Sequence, residues 1–215
     1  VTSRAARLSP VPLELLTGDP TEVAPRLLNT LLVHGERAVR IVEVEAYRGA
    51  EDPASHAYRG PTRRNATMYG PPGRLYVYFT YGMHWCANVV CWPEGVAGAV
   101  LLRAAAPVEG IEAMWAERPA ARRERDLCSG PAKLCQALGL TGEFDGSDLL
   151  SGDRGVRLLT DGTGPPDEPS RGPRIGVSAG AEHPWRWWVA GDPNISVGPS
   201  RTTDLTRQGR GGGVP

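Results

Sequence analysis

All six tyrosines of this chain, Tyr47, Tyr58, Tyr69, Tyr76, Tyr78 and Tyr81, lie between positions 47 and 81. From Pro53 to Pro93 there is no Asp or Glu, while Arg59, Arg63, Arg64 and Arg74 give that stretch a net charge of four positive. Aromatics interleaved with arginines stack bases and hold phosphates. Strand propensity and core packing are the competing explanation. They cover Tyr76 easily and Tyr81 poorly, because a large aromatic at a hairpin tip has no core to reach. Such a residue suits a wedge pushed into a base stack.

A second group could activate water. Glu45 shares a strand face with Tyr47, and burying a carboxylate on a mostly apolar strand is costly unless it is paired. Arg103 is the lone charge in another apolar run, Ala97 to Val108. A Glu45–Arg103 pair would hold the carboxylate ionised and fit to deprotonate a water, although structural ion pairs of this kind are common. Glu43, on the same face, is the competing carboxylate. Asn88, inside an apolar strand, meets either backbone or a ligand edge. His56 sits in a loop, where a lone histidine is more often a surface residue. Lys133 stands in the first turn of a helix opened by Ser129-Gly130-Pro131, beside freed backbone N–H groups that suit a phosphate; a solvated lysine is the plain alternative.

The elements that must carry these side chains follow from the pattern. Thr21 caps a helix running to about Asn29, with Pro25 in its first turn. Arg40 to Tyr47 alternates as a strand, Val42, Val44 and Ala46 facing one way and Ile41, Glu43, Glu45 and Tyr47 the other. Residues 48–74 read as a long loop. Leu75 to Thr80 and His84 to Trp92 form a hairpin around Tyr81-Gly82-Met83. Ala97 to Ala104 is a strand, Pro107 opens a helix to about Glu117, and a second helix starts at Ser129-Gly130-Pro131 and is closed by Gly139. Gly142 to Pro173 is polar and turn-rich, Trp185 to Ala190 is a last strand, and Arg201 to Pro215 reads as a loose tail. The expected fold is α+β, one compact domain over residues 1–200 with a mainly antiparallel sheet, flanking helices and a protruding β-hairpin.

Composition sets the frame. The chain has 215 residues, 40% hydrophobic and 22% charged, enough for one domain with a real core. No apolar run approaches the ~18 residues of a membrane span and the start carries no signal-like stretch, so a cytoplasmic protein is expected rather than a membrane or secreted one. Lys and Arg number 24 against 24 Asp and Glu, which taken alone argues against a nucleic-acid binder. That zero is a cancellation, because Gln136 to Ser170 holds seven acids and two arginines. Lys133 is the only lysine among the 24 basic residues, and arginine is the planar reader of phosphate. A GC-rich coding sequence would enrich Arg as well. The four cysteines and four histidines have no zinc-site spacing, so no metal or other cofactor is expected, and free thiols fit a reducing compartment.

At this point the residues resemble a known family. Val44-Glu45-Ala46-Tyr47, Glu51-Asp52-Pro53-Ala54-Ser55-His56, Arg64-Asn65, Leu75-Tyr76-Val77-Tyr78, Tyr81-Gly82-Met83, Asn88, Leu101-Leu102-Arg103-Ala104 and Ser129 to Leu138 are similar, in order, to motifs of the alkyladenine (3-methyladenine) DNA glycosylases. Arg174-Ile175-Gly176-Val177 and Trp185 to Ser196 extend the likeness. The resemblance implies a compact α/β domain that excises alkylated and deaminated purines from double-stranded DNA by hydrolysing the N-glycosidic bond without a metal. It makes Glu45 the general base, with Arg103 and the Ile175 carbonyl holding the water. Tyr47 would stack on one face of the flipped base, His56 and Tyr78 on the other. Tyr81, with Met83, would fill the gap in the duplex, Asn88 would exclude the guanine 2-amino group, and Arg64 and Lys133 would lie near phosphates. The loop around Pro61-Thr62-Arg63 and the pair His84-Trp85 depart from the family pattern, and the tail after Gly198 has no counterpart in it.

Two rival functions use fewer of these residues. A lesion-binding protein that flips damage without cutting needs the tyrosines but not Glu45. A bifunctional glycosylase/lyase would use Lys133 as a Schiff-base nucleophile. One lesion needs only a monomer.

Overall fold

The computed structural model describes residues 8–196. The expected tail, 201–215, lies outside them. Nine strands form one sheet, and every pairing in it is antiparallel. They are β1 (Ser9–Pro10), β2 (Leu31–His34), β3 (Arg37–Tyr47), β4 (Leu75–Thr80), β5 (His84–Val90), β6 (Ala99–Glu109), β7 (Val156–Thr160), β8 (Ser170–Gly172) and β9 (Arg186–Trp188). The order across the sheet is β1-β7-β2-β3-β6-β5-β4, and β8–β9 attaches to the C-terminal half of β3. Four helices accompany it: α1 (Leu13–Leu16), α2 (Pro20–Arg26), α3 (Ile111–Glu117) and α4 (Pro131–Leu138). The architecture is the expected α+β one.

β3 is the organising strand. From Ile41 to Ala46 every residue is buried, on both faces of the sheet, so the alternation read from the sequence does not separate core from solvent. Pairing with β6 slips three times, first between Ala38 and Val39 and then twice beside the glutamates. Ile41 lies opposite Ala105, Glu43 opposite Ala104 and Val44 opposite Leu102, which leaves Val42 and Arg103 as the extra residues. Bulges of this kind re-aim side chains beside functional sites, and here one turns Arg103 towards the two glutamates.

Four local readings are corrected. Asp19, not Thr21, caps α2: its carboxylate accepts the Thr21 N–H at 2.8 Å and the Thr21 hydroxyl at 2.7 Å. The helix stops at Arg26, so Pro25 falls in its last turn rather than its first. Pro107 opens no helix but lies within β6, opposite Val39. The chain leaves that strand at Gly110, whose φ is 69°, and a Cβ there would come within 2.5 Å of the Glu36 carbonyl oxygen. Finally, the polar stretch 142–173 contains β7, which pairs with both β1 and β2.

The hairpin matches expectation and adds a detail. Tyr81 and Gly82 both have positive φ, 50° and 66°, and the Met83 N–H donates to the Thr80 carbonyl at 3.2 Å. Positive φ at two successive central residues matches strand twist in a tight hairpin turn and favours Asn or Gly there. A tyrosine in that place carries local strain, and it is 82% exposed.

Candidate active site

The pairing register lays a row of side chains across one sheet face. Glu45 lies opposite Leu101, Leu101 opposite Asn88 and Asn88 opposite Tyr76, while Tyr78 faces Cys86 in the adjoining row. Above these rows opens a cavity of about 240 Å³. Tyr47, His56, Tyr78, Tyr81, Asn88, Arg103 and Ile175 line it, as the sequence reading requires. Met68, Cys86, Leu101, Pro131, Gly176 and Val177 line it as well; of these, Met68 alone had no signal, since Cys86 shares a strand face with Asn88, and Leu101, Pro131 and Gly176-Val177 stand in the quoted motifs.

Glu45, its side chain fully buried, does not itself line the cavity but is held by three residues that do, Tyr47, Arg103 and Ile175. Its Oε1 accepts the Ile175 N–H at 2.7 Å and lies 3.2 Å from Arg103 Nη1. Its Oε2 accepts one bond, from the Tyr47 hydroxyl at 2.9 Å. Burial, then the Glu45 charge and that hydrogen bond, push the Tyr47 hydroxyl well above the ordinary tyrosine range, so it stays a donor. Burial works against the Arg103 charge, and the Glu45 and Glu43 carboxylates more than offset it. The Ile175 contact runs through its N–H, where a carbonyl contact to a water was expected.

Glu43 is differently placed. Four donors surround its buried carboxylate: Arg103 Nε at 3.1 Å, Arg186 Nη1 at 3.1 Å, the Ser196 hydroxyl at 2.8 Å and the Ser196 N–H at 2.5 Å. Three of the four fall on Oε1 and only the Ser196 N–H on Oε2, and of these donors Arg103 alone lines the cavity.

Tyr47 is fixed from behind. The Arg174 guanidinium lies 4.7 Å from the centre of its ring and 5.0 Å from that of Trp185. Arg174 in turn grips Asp52 with two hydrogen bonds, 2.5 and 2.8 Å, and both side chains are fully buried. Neither residue was singled out from the sequence, although Asp52 lies in the Glu51-Asp52 pair and Arg174 precedes Ile175.

His56 and Tyr78 meet edge to face at 4.5 Å, and His56 Nδ1 lies 3.0 Å from the Tyr76 hydroxyl. Burial raises the Tyr76 hydroxyl to about 12 and pushes Tyr78 higher still. His56 sits at the rim with its inner edge against these rings; that partial burial and then the Arg64 charge lower its pKa. The folded imidazole therefore takes a proton less readily than the unfolded one, and stability is expected to fall as pH drops below about 6.5. Urea midpoints measured between pH 7 and pH 5 check this: His56→Gln must flatten the slope.

Asn88 donates from Nδ2 to the Tyr76 carbonyl at 3.2 Å, which leaves its amide oxygen for another partner. Arg64 does not stand free: it donates to the Phe79 carbonyl at 3.0 Å and lies over the Tyr78 ring at 5.6 Å. Arg74 turns away to Asp148 and Asp153. Lys133 Nζ lies 3.3 Å from the Ser129 hydroxyl. Met83, 68% exposed, lines a separate cleft with His84 and Trp85 on the α4 side of the hairpin. Among the described residues, no group of three or more His, Cys, Asp or Glu side chains is placed to hold a metal ion, and no helix is long and apolar enough to cross a membrane.

Residues 14–193 match the model of the methylpurine-DNA glycosylase (MPG) family. The chain belongs to that family. Membership makes it a DNA-repair enzyme, a hydrolase of N-glycosyl bonds that acts on DNA with damaged bases. A protein of Burkholderia lata is 57% identical over 177 residues, covering 82% of this chain and 86% of its own length, and carries the name "Putative 3-methyladenine DNA glycosylase". Proteins of the same name from Leifsonia xyli and Streptomyces avermitilis are 55% and 48% identical, over 81% and 87% of this chain and 86% and 91% of theirs.

Proposed function

We propose that the chain is a monofunctional glycosylase that takes alkylated purines out of duplex DNA and hydrolyses their N-glycosidic bond with a water activated by Glu45. One observation carries this reading. Glu45 Oε2 accepts a single hydrogen bond, from Tyr47, which is itself one of the aromatic residues that wall the cavity. Its second acceptor site is the open one. A water held there loses its proton to the carboxylate as it attacks the sugar C1′, and the departing base takes the bonding electrons.

The remaining side chains divide the other tasks. Arg103 orients the Glu45 carboxylate from 3.2 Å. Tyr47, His56 and Tyr78 stack on the extruded base, each stack contributing about 1–3 kcal/mol. A purine alkylated at N3 or N7 is cationic, so it leaves without prior protonation and is drawn to aromatic faces. Neutral deaminated purines need a proton donor, and the tyrosines and neutral His56 of the pocket hold or lack the proton at pH 7; these bases are the slower substrates. Asn88 excludes the guanine 2-amino group. Arg64, Lys133 and Met83 contact the flanking DNA, and one chain handles one lesion, in the cytoplasm.

Tyr81 is the wedge, and its backbone supplies a test with two signs. Tyr81→Asn removes the intercalating ring but suits positive φ. Thermal stability is expected to rise by up to about 1 kcal/mol, while affinity for lesion-containing duplex falls about tenfold or more. Melting curves and fluorescence anisotropy report the two; binding that survives unchanged removes Tyr81 from the role. The function itself is tested by base release from duplexes carrying 3-methyladenine, 7-methylguanine, hypoxanthine or ethenoadenine. Lesion binding without release of any of them would leave a damage-binding protein instead, and borohydride trapping of Lys133 on abasic DNA would make it a lyase.

A further inference from the structure

Arg103 is held at all three guanidinium nitrogens. Nε donates to Glu43 Oε1 at 3.1 Å, Nη1 lies 3.2 Å from Glu45 Oε1, and Nη2 donates to the Ser196 hydroxyl at 3.2 Å. That hydroxyl donates onward to Glu43 Oε1 at 2.8 Å, and the Ser196 N–H reaches Glu43 Oε2. Glu43 also draws in Arg186 of β9. Two buried carboxylates and two guanidiniums thus form one chain of charge, Glu45–Arg103–Glu43–Arg186, closed by a serine near the end of the described residues.

We propose that Glu43 is a positioning residue of this active site, acting through Arg103 and clamped in place by Ser196. The inference rests on Glu45 being the base. Three geometric facts carry it. Arg103 is the bulge residue of β6, so strand pairing alone does not fix where it points. Of the partners of Glu43 only Arg103 lines the cavity, whereas Tyr47, Arg103 and Ile175, the three partners of Glu45, all do, so Glu43 reaches the site through Arg103 alone. Its contact to Arg103 is through Nε, which sets the plane of the guanidinium and hence the aim of Nη1 at Glu45. Glu43 also shares the Arg103 charge.

The groups that face Glu45 are Glu43 and Tyr47 of β3, Arg103 of β6, Cys86 of β5, Tyr78 of β4 and the Ile175 amide. Tyr47, Tyr78 and Cys86 have raised pKa values, from burial first, so only Glu43 and Arg103 are charged near neutral pH. Removing the negative charge of Glu43 leaves the base facing an undivided positive neighbour. The acidic limb of the rate profile then moves to lower pH.

The experiment compares Glu43→Gln with the full-length parent, using release of 3-methyladenine from a duplex under single-turnover conditions across pH 5–9. Affinity for a duplex with a non-cleavable lesion analogue and the melting temperature are read alongside. The expected result is a rate about tenfold lower at neutral pH, affinity within about twofold of the parent, and an acidic limb displaced downward by about half a unit. A rate and profile equal to the parent's overturn the inference. So does a rate loss that follows the loss of folded protein, with no displacement of the limb. Ser196→Ala removes the hydroxyl contacts to Glu43 and Arg103 while keeping the backbone N–H and every charge, and it decides the matter if Glu43→Gln does not fold. It should slow release about threefold to fivefold with affinity and limb unchanged, and a parental rate in that variant is fatal. If the parent protein releases no base at all, it is the proposed function that fails, and the two failures are told apart at that first measurement.

Discussion

Glu45→Gln should lower the rate of base release by about 10²–10⁴-fold, the range for a lost general base, and leave lesion binding nearly intact. The structure gives reasons for both halves. Gln is isosteric, and its amide oxygen can still accept the Ile175 N–H that now reaches Glu45 Oε1 at 2.7 Å. Its NH₂ group can donate to the Tyr47 oxygen. Arg103 is not orphaned, because Glu43 holds it through Nε at 3.1 Å. The variant therefore folds and keeps the cavity, yet cannot accept a proton from water. Single-turnover release and anisotropy on the same damaged duplex make the comparison. Release at the parental rate removes Glu45 from the mechanism.

Asp52→Ala is the second large effect, and it falls on stability before activity. The Asp52–Arg174 pair has no exposed side-chain surface. Removing one partner of such a pair costs about 3–5 kcal/mol, because the other charge stays buried without compensation. Against a typical domain stability of about 5–15 kcal/mol, that is a large fraction, and it should appear as a lower urea midpoint with a similar slope. Replacing both residues with apolar ones of similar volume should recover much of the loss. It should not recover full activity, since Arg174 also backs the Tyr47 ring at 4.7 Å and donates to the Ala46 carbonyl at 3.0 Å. Stability regained together with full activity would show that the pair does nothing for the site.

What could be read from the sequence was local. Alternation placed Glu45 and Tyr47 on one strand face, a Gly-containing turn placed Tyr81 at a tip, and Pro131 with Gly139 bounded α4. The lone charge in an apolar run identified Arg103 as the partner of Glu45, and the two lie 3.2 Å apart. What could not be read depends on distant segments or on backbone irregularity. The double bulge that aims Arg103 leaves no mark in the residue pattern. Asp19 outcompetes Thr21 as a cap because its carboxylate reaches the Thr21 amide, a choice between two good capping residues that spacing does not decide. β7 is only five residues long inside a polar stretch, and its apolar side chains find their partners in β2. Three of the four donors to Glu43, the Arg174 clamp and the Ile175 amide come from residues 174–196, more than 120 positions from the carboxylates they hold. The resemblance to known glycosylases placed the candidate residues in order; it did not supply these supports.

Those long separations have a consequence for biosynthesis. Chains are made from the N-terminus, so Glu45, the hairpin and Arg103 all emerge well before the segment that completes their hydrogen bonds. Until Ser196 is available, Glu43 lacks two of its four donors, and until Arg174 is available, Asp52 lacks its partner. Pairings of such high sequence separation are slow to form. An unfinished chain thus holds the proposed base, Glu45, without the framework around it, and on that proposal the power to cut bases from DNA arrives only in the last steps of folding.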